Sequence, residues 1–182
     1  LIAIDGAKGK VLWRFYQANS LTEKWFNFYN PQFIEDQNDD GIEDILVSNG
    51  GDVLAAPHDP NRPAGHLAVI DGSNGKILHQ APMPDGKETY MSVGVISINF
   101  SYDYKIVFGT GGETIGGNLY VDSLSNLKKG DLSNAKLLHS SEDKGYIGPP
   151  SFVDLNEDYI EDIVVNSVNG QLLAFDGKTH EM

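Results

Sequence analysis

Short apolar runs alternate with turn residues along the whole chain. Each run is rich in β-branched, aliphatic or aromatic residues and is bounded by Gly, Asn, Asp or Pro. The runs span residues 2–4, 11–13, 45–47, 67–70, 76–78, 93–98, 106–108, 118–121, 163–165 and 171–175. Short runs at regular spacing, with turn signals between them, predict an all-β fold. Helix signals are weak, and only Ser123 to Lys129 predicts a short helical turn, inside a loop.

An acidic loop occurs twice between these runs. Residues 36–44 read DQNDDGIED, and residues 154–162 read DLNEDYIED. Both loops carry oxygen-bearing side chains at their first, third, fifth and ninth positions, and both continue into an apolar run. Hard cations such as Ca²⁺ bind about six to eight oxygens, and a tight loop with alternating carboxylates supplies them. A solvated acidic surface is the alternative, but the positional match favours a cation site.

A second motif separates pairs of runs. Residues 5–10 read DGAKGK, residues 71–76 read DGSNGK, and residues 176–181 read DGKTHE as a looser third copy. Asp and Asn side chains bond to nearby backbone groups in turns, and Gly adopts positive φ without steric cost. We therefore interpret these segments as simple hairpin turns.

The two motifs alternate and divide the chain into units. Residues 31–80 form one four-stranded unit, and residues 88–140 form another, in which the acidic loop has decayed to Asn99–Lys105. Residues 149–182 form an incomplete unit of three strands, and residues 1–16 form the last two strands of a preceding unit. Four-stranded units of about 40–60 residues are typical of β-propeller blades. We therefore expect residues 1–182 to be one propeller segment of antiparallel blades, about three blades of a larger ring.

The predicted strands are too few for a closed ring. They number thirteen, whereas a ring of about four blades has about sixteen strands. We expect the remainder of the ring to come from further sequence or from another chain. The chain opens on Leu1 inside a strand-like run and stops at Met182 inside another repeat, so we expect it to be a piece of a longer protein.

Composition narrows the range of partners. The chain has 26 acidic and 13 basic residues, and a net charge of -13 argues against nucleic acid and anionic membranes as partners. Without Cys, it forms no disulfide, no zinc–thiolate site and no Cys nucleophile. Absence of Cys is common in exported bacterial proteins. No apolar run approaches the length of a transmembrane span, and no signal peptide is present in the sequence.

These motifs resemble two repeat families. The acidic loops resemble the calcium loops of FG-GAP repeats, which occur in integrin α-subunits and related bacterial propellers. The stretch from Ala3 to Trp13 resembles the PQQ-like propeller repeat, A-x-D-x-x-T-G-K-x-x-W, with Lys8 in place of Thr. The second copy has His79 where that repeat has Trp. The resemblance implies an extracytoplasmic, calcium-stabilised β-propeller that is periplasmic, attached to the cell surface or secreted.

The resemblance also implies the ligands of each loop. Four side chains and one main-chain carbonyl would bind Ca²⁺ in the first loop: Asp36, Asn38, Asp40 and Asp44, with Ile42 as the carbonyl donor. The later loop would use Asp154, Asn156, Asp158 and Asp162, with Ile160 as the carbonyl donor. The two loops differ at the sharp turn, where Tyr159 replaces Gly41. A non-Gly residue at positive φ costs energy, so we expect the later site to be weaker.

The resemblance leaves two classes of function open. Quinoprotein dehydrogenases share the PQQ-like repeat, but many carry a vicinal Cys pair that this chain lacks, and no other catalytic constellation is convincing. A binding or structural module, with a protein or glycan as its ligand, is the favoured function. Its candidate binding loops are Ala55–His66 and Gly109–Gly117. The aromatic stretch Trp13–Phe33 is a further candidate, although we favour packing between blades as its role.

Overall fold

The computed structural model describes residues 1–15, 27–52, 54–96 and 104–182. These residues form thirteen strands and one short helix. The strands are β1 Ile2–Ile4, β2 Val11–Arg14, β3 Phe28–Ile34, β4 Asp44–Asn49, β5 His66–Ile70, β6 Ile77–Pro82, β7 Val93–Ile96, β8 Lys105–Gly109, β9 Gly117–Ser123, β10 Lys136–Ser141, β11 Ser151–Val153, β12 Asp162–Asn166 and β13 Leu172–Phe175. The all-β prediction is confirmed, and a strand lies at each of the ten apolar runs as far as they are described.

The strands form four antiparallel sheets that follow one another along the chain. The first sheet pairs β1 with β2, the second contains β3 to β6, the third contains β7 to β10, and the fourth contains β11 to β13. In every sheet the hydrogen-bonded neighbours are consecutive strands, as in a meander. The predicted grouping of two, four, four and three strands is therefore confirmed within the described residues.

Successive sheets pack face to face, and the side-chain alternation of each strand decides which neighbour it contacts. In β4, Ile45 and Val47 pack with Trp13 of the first sheet, whereas Leu46 joins the core shared with the third sheet. In β8, Phe108 belongs to that same core, and Val107 packs towards the fourth sheet. The second and third sheets are therefore buried on both faces, which explains their continuous apolar runs.

Trp13 attaches the first sheet to the second. Its indole Nε1 donates a hydrogen bond to the carbonyl oxygen of Gly72, 2.7 Å away. Its ring lies over Gly75, where a side-chain carbon would overlap with the indole. Trp13 of the first sheet thus contacts the Asp-Gly turn of the second sheet.

The only helix in the described part of the chain lies between β9 and β10. This helix, α1, spans Leu124–Lys128, and the Ser123 side chain caps it by accepting a hydrogen bond from the Asn126 backbone N–H. Leu124 and Leu127 are buried in the core between the second and third sheets. The predicted helical turn is confirmed. No helix of the described residues combines the length and the apolar character that crossing a bilayer requires.

Successive connections leave opposite ends of the sheets because consecutive strands are antiparallel. We call one end the acidic end; it carries the β1–β2, β3–β4, β5–β6, β9–β10 and β11–β12 connections, and therefore both acidic loops. The opposite end carries the β4–β5, β6–β7, β8–β9, β10–β11 and β12–β13 connections. The two candidate binding loops, 55–66 and 109–117, both lie at the opposite end.

Candidate metal centres in the acidic loops

The first acidic loop is organised by hydrogen bonds from its backbone to its own side chains. Asp36 Oδ1 accepts from the N–H of Asn38 at 3.0 Å, and Asn38 Oδ1 accepts from the N–H of Asp40 at 3.1 Å. Asp40 Oδ1 accepts from the N–H of Ile42 at 2.8 Å. The N–H of Gly41 reaches back to Asp36 Oδ2 at 2.6 Å. Alternate oxygen-bearing side chains thus shape the loop locally, as their turn-forming tendency dictates.

Asp44 joins the loop to the neighbouring Asp-Gly turn. Its buried carboxylate accepts from the N–H of Gln37 at 2.7 Å and from the N–H of Gly72 at 3.0 Å. Asn38 Nδ2 donates to Asp71 Oδ2 at 3.2 Å. A side chain on Gly72 would overlap with the loop backbone. The turn at 71–76 is therefore more than a hairpin connection, because it brings the carboxylate of Asp71 to the acidic loop.

The later loop repeats most of this network, with one difference: Asp154 Oδ1 accepts from the N–H of Asp158 (3.2 Å), whereas Asp36 Oδ1 accepts from the N–H of Asn38. Its first, third and fifth side chains accept from the backbone, and its last carboxylate accepts from both the loop and the following Asp-Gly turn. The bonds run from Tyr159 N to Asp154 Oδ2 (2.9 Å), Asp158 N to Asn156 Oδ1 (3.0 Å), Ile160 N to Asp158 Oδ1 (2.9 Å), Leu155 N to Asp162 Oδ2 (2.9 Å), Gly177 N to Asp162 Oδ1 (2.9 Å) and Asn156 Nδ2 to Asp176 Oδ2 (3.0 Å).

The two loops differ at their sixth residue, which follows Asp40 in the first loop and Asp158 in the later loop. Gly41 has φ +85°, and Tyr159 has φ +68° at the equivalent place. The expectation that Tyr159 occupies a left-handed position is confirmed. Its side chain is 95% exposed, so no packing of the ring offsets the backbone strain.

Negative charge is concentrated around Asp44. Burial raises the pKa of Asp44, and the nearby carboxylates of Asp71 and Asp36 raise it further, against hydrogen bonds from Gly72 and Gln37 that lower it. The pKa of Asp36 is lowered, chiefly by the hydrogen bond from the Gly41 N–H. A cation near Asp44 would reduce the repulsion between these carboxylates.

The donor set fits Ca²⁺ by its chemistry. Every implied side-chain ligand is a carboxylate or amide oxygen, the type of ligand that Ca²⁺ takes. The backbone N–H bonds occupy only part of the acceptor capacity of each carboxylate. Among the described residues, no three His, Asp or Glu side chains are grouped closely enough to hold a metal ion. The implied ligand sets therefore stay predictions.

Sequence reasoning missed Asp71 and Asp176 as neighbours of the acidic loops. Each is the first residue of an Asp-Gly turn and hydrogen bonds to the loop asparagine of its own sheet. The signal was available, because an Asp-Gly turn follows each acidic loop after one strand pair. In the middle unit, residues 97–103 lie outside the described residues, so the degenerate loop there is untested. Lys105 begins β8 and pairs with Ser123.

The aromatic stretch 13–33 is described only in part. Of the aromatic stretch, Phe15 and Phe28 pack edge to face between the first two sheets, with ring centroids 4.8 Å apart. Residues 16–26 lie outside the described residues.

In the loop 55–66, Arg62 lies against Glu88 in a cavity of about 440 Å³, which Glu113 of the loop 109–117 also lines. The structure thus brings the two candidate binding loops together.

Comparison of the chain with protein-family models, with curated proteins and with solved structures finds no match.

Proposed function

We propose that this chain forms part of a calcium-stabilised β-propeller that acts as an extracytoplasmic binding or structural module. The observation that carries the proposal is the repeated network at the acidic end. In both the second and the fourth sheet, the last Asp of the loop accepts from the glycine N–H of the Asp-Gly turn. A loop-and-turn unit that recurs in the second and fourth sheets supports a metal-stabilised repeat architecture.

The stacking of the sheets supports the propeller. Four sheets lie face to face in chain order, and three apolar clusters fill the spaces between them. The outer faces remain apolar and exposed: Leu12 is 65% exposed on the first sheet, and Leu172 is 76% exposed on the fourth. Exposed apolar side chains on both outer faces favour continuation of the stack by further sheets, supplied by the same polypeptide or by another chain.

Calcium would act at the acidic end as a clamp. Each loop would bind Ca²⁺ through the oxygens of its alternating side chains and the isoleucine carbonyl, at about 2.3–2.6 Å. The ion would hold a loop whose carboxylates otherwise repel one another. Extracellular modules bind Ca²⁺ with dissociation constants of about 0.1–1 mM, so we expect affinities in this range from an extracytoplasmic module.

Calorimetry on the full chain, stripped of metal, tests the calcium proposal. We expect two binding sites that fill at submillimolar to millimolar Ca²⁺. The melting temperature should fall when a chelator is added, because Ca²⁺ binds the folded chain and not the unfolded chain. Asp40→Ala should remove the first site, and Asp158→Ala should remove the later one. Asp143→Ala deletes an exposed carboxylate at the opposite end and is the matched control.

The outcomes separate clearly. If the unmodified chain takes up no Ca²⁺ at millimolar concentration, the metal proposal is wrong. If Ca²⁺ binds but chelation leaves the melting curve unchanged, the ion has no structural role. An equal loss of binding in Asp143→Ala would show that general surface charge, and not the loop, attracts the ion.

A further inference from the structure

The cavity at the opposite end is built from four different connections. Its wall includes Arg62 from β4–β5, Glu88 and Tyr90 from β6–β7, Glu113 from β8–β9 and Ile147 from β10–β11. Its volume of about 440 Å³ lies within the range of about 300–1,000 Å³ typical of small-molecule sites.

Main-chain hydrogen bonds hold these connections in place. The N–H of Gly111 donates to the carbonyl of Glu88 at 2.9 Å, and the N–H of Gly145 donates to the carbonyl of Gly112 at 2.8 Å. Ser48 Oγ donates to the carbonyl of Tyr90. The walls of the cavity are therefore fixed by backbone contacts between neighbouring sheets, so the site is preformed.

Arg62 is buried in this cavity with part of its hydrogen-bonding capacity unused. Its side chain is 9% exposed, and that of its partner Glu88 is 4% exposed. Arg62 Nη1 lies 3.5 Å from Glu88 Oε2, and Nη2 donates to Tyr90 Oη at 3.4 Å. Both distances exceed the usual N–H···O range of about 2.7–3.2 Å. The buried Nε has no hydrogen-bond partner.

A buried guanidinium nitrogen without an acceptor costs stability, so the unpartnered Nε of Arg62 needs an explanation. A ligand that brings oxygen acceptors into the cavity would supply the missing partners of Arg62. Glu88 and Glu113 would in turn accept hydrogen bonds from ligand donors. The cavity therefore matches a ligand whose neighbouring groups both accept and donate.

We propose that this cavity binds a neutral sugar ring; the inference rests on the proposed binding role and names the ligand class. Adjacent hydroxyls of a sugar accept from the guanidinium of Arg62 and donate to the carboxylate of Glu88. The ring of Tyr90 and the side chains of Pro57 and Ile147 provide apolar surface for the C–H face of the sugar.

The charged side chains of the cavity argue against anionic and cationic ligands. An anion would face Glu88, Glu113 and the net charge of -13. An ammonium group would face the guanidinium of Arg62. A neutral polyhydroxylated ring avoids both conflicts, and its hydroxyls pair with groups of either sign.

Titration of the full, Ca²⁺-saturated chain with methyl glycosides tests the proposal. The probes are the methyl glycosides of glucose, galactose, mannose and N-acetylglucosamine, up to about 10 mM, followed by saturation-transfer NMR and calorimetry. We expect saturable binding of at least one glycoside. The paired change Arg62→Met with Glu88→Gln, which leaves no unpaired buried charge, should weaken that binding by at least about tenfold.

Rim variants keep the test valid if the paired change does not fold. Glu113→Gln and Thr114→Val alter exposed residues of the cavity and should each weaken binding by about threefold to tenfold. Glu142→Gln makes the same charge change on an exposed residue outside the cavity and should leave binding unchanged. Circular dichroism melts establish that each variant is folded.

Two results would overturn the sugar assignment: no glycoside binds at about 10 mM, or binding persists at full strength in the folded cavity variants. Binding of a neutral dipeptide amide in place of every glycoside would assign the cavity to peptides and would also overturn it. The calcium proposal fails separately, because Asp40→Ala lies at the acidic end and should leave glycoside binding intact. Glycoside binding without Ca²⁺ uptake would refute only the metal proposal.

Discussion

Gly41 and Tyr159 occupy equivalent left-handed positions in the two acidic loops. Substitutions at these two positions therefore measure the backbone strain directly. An L-residue in the left-handed region costs about 1–2 kcal/mol. Replacement by glycine removes that cost but adds about 0.4–1 kcal/mol of conformational entropy to the unfolded chain. Because the Tyr159 side chain is 95% exposed, its removal loses almost no burial. Tyr159→Gly should therefore stabilise the fold by about 0.5–1 kcal/mol.

The reciprocal change should have the opposite sign. Gly41 has φ +85° and open space around the position where a Cβ would lie, so Gly41→Ala introduces strain without a clash. We expect a loss of about 0.5–1 kcal/mol. Chemical denaturation measures the change in unfolding free energy. In thermal melts, the melting temperature of a chain of this size should shift by about 2–4 °C per kcal/mol. Both measurements are made with chelator and again with excess Ca²⁺.

Tyr159→Ala is the control that separates strain from the ring. It removes the ring but keeps a Cβ at φ +68°, so it should leave stability nearly unchanged. The stability gain of Tyr159→Gly should appear with chelator and again with excess Ca²⁺, because the positive φ belongs to the folded loop and not to the unfolded chain. The reasoning is refuted if Tyr159→Gly destabilises the chain, or if Tyr159→Ala stabilises it equally.

Three further changes test other contacts. Trp13→Phe removes the 2.7 Å hydrogen bond to the Gly72 carbonyl and should cost about 1–3 kcal/mol of unfolding free energy, measured by denaturation; no loss would mean that the bond is not stabilising. His180→Gly should stabilise the chain by about 0.5–1 kcal/mol, because His180 has φ +61° where the other two copies of the turn have glycine; a lower melting temperature would contradict this. The hydrogen bond from the Thr179 N–H lowers the pKa of Asp176, so its stabilising contribution is present above about pH 4 and is lost as pH falls through the folded pKa. Asp176→Asn should therefore flatten the acid limb of the stability profile, and an unchanged limb would refute that contribution.

Local sequence determined most of the strands. The runs at 45–47 and 106–108 are apolar at every position, and both lie in strands whose two faces are buried. β3 lacked such a signal because it contains Pro31 and has Asn30 at φ 47°, and its pairing with β4 shifts register between Tyr29 and Gln32. β-Bulges of this kind depend on the partner strand, which a pattern along one segment does not contain.

The acidic loops were also readable from sequence, because their hydrogen bonds connect residues close together in the chain. The spacing of Asp36, Asn38 and Asp40 sets the local turns, and the later loop repeats them. The left-handed position of Tyr159 followed from its alignment with Gly41. Local geometry of this kind needs no knowledge of the rest of the fold.

Only the tertiary structure decided which distant residues meet. Asp71 lies 33 positions beyond Asn38, yet the antiparallel pairing of β4 with β5 brings its turn against the acidic loop. Arg62 and Glu88 come from connections on either side of β5 and β6, and they meet because alternate connections leave the same end of the sheets. The sequence supplies the carboxylates and the guanidinium, but strand register and sheet stacking determine their neighbours, because those contacts form only when the sheets pack.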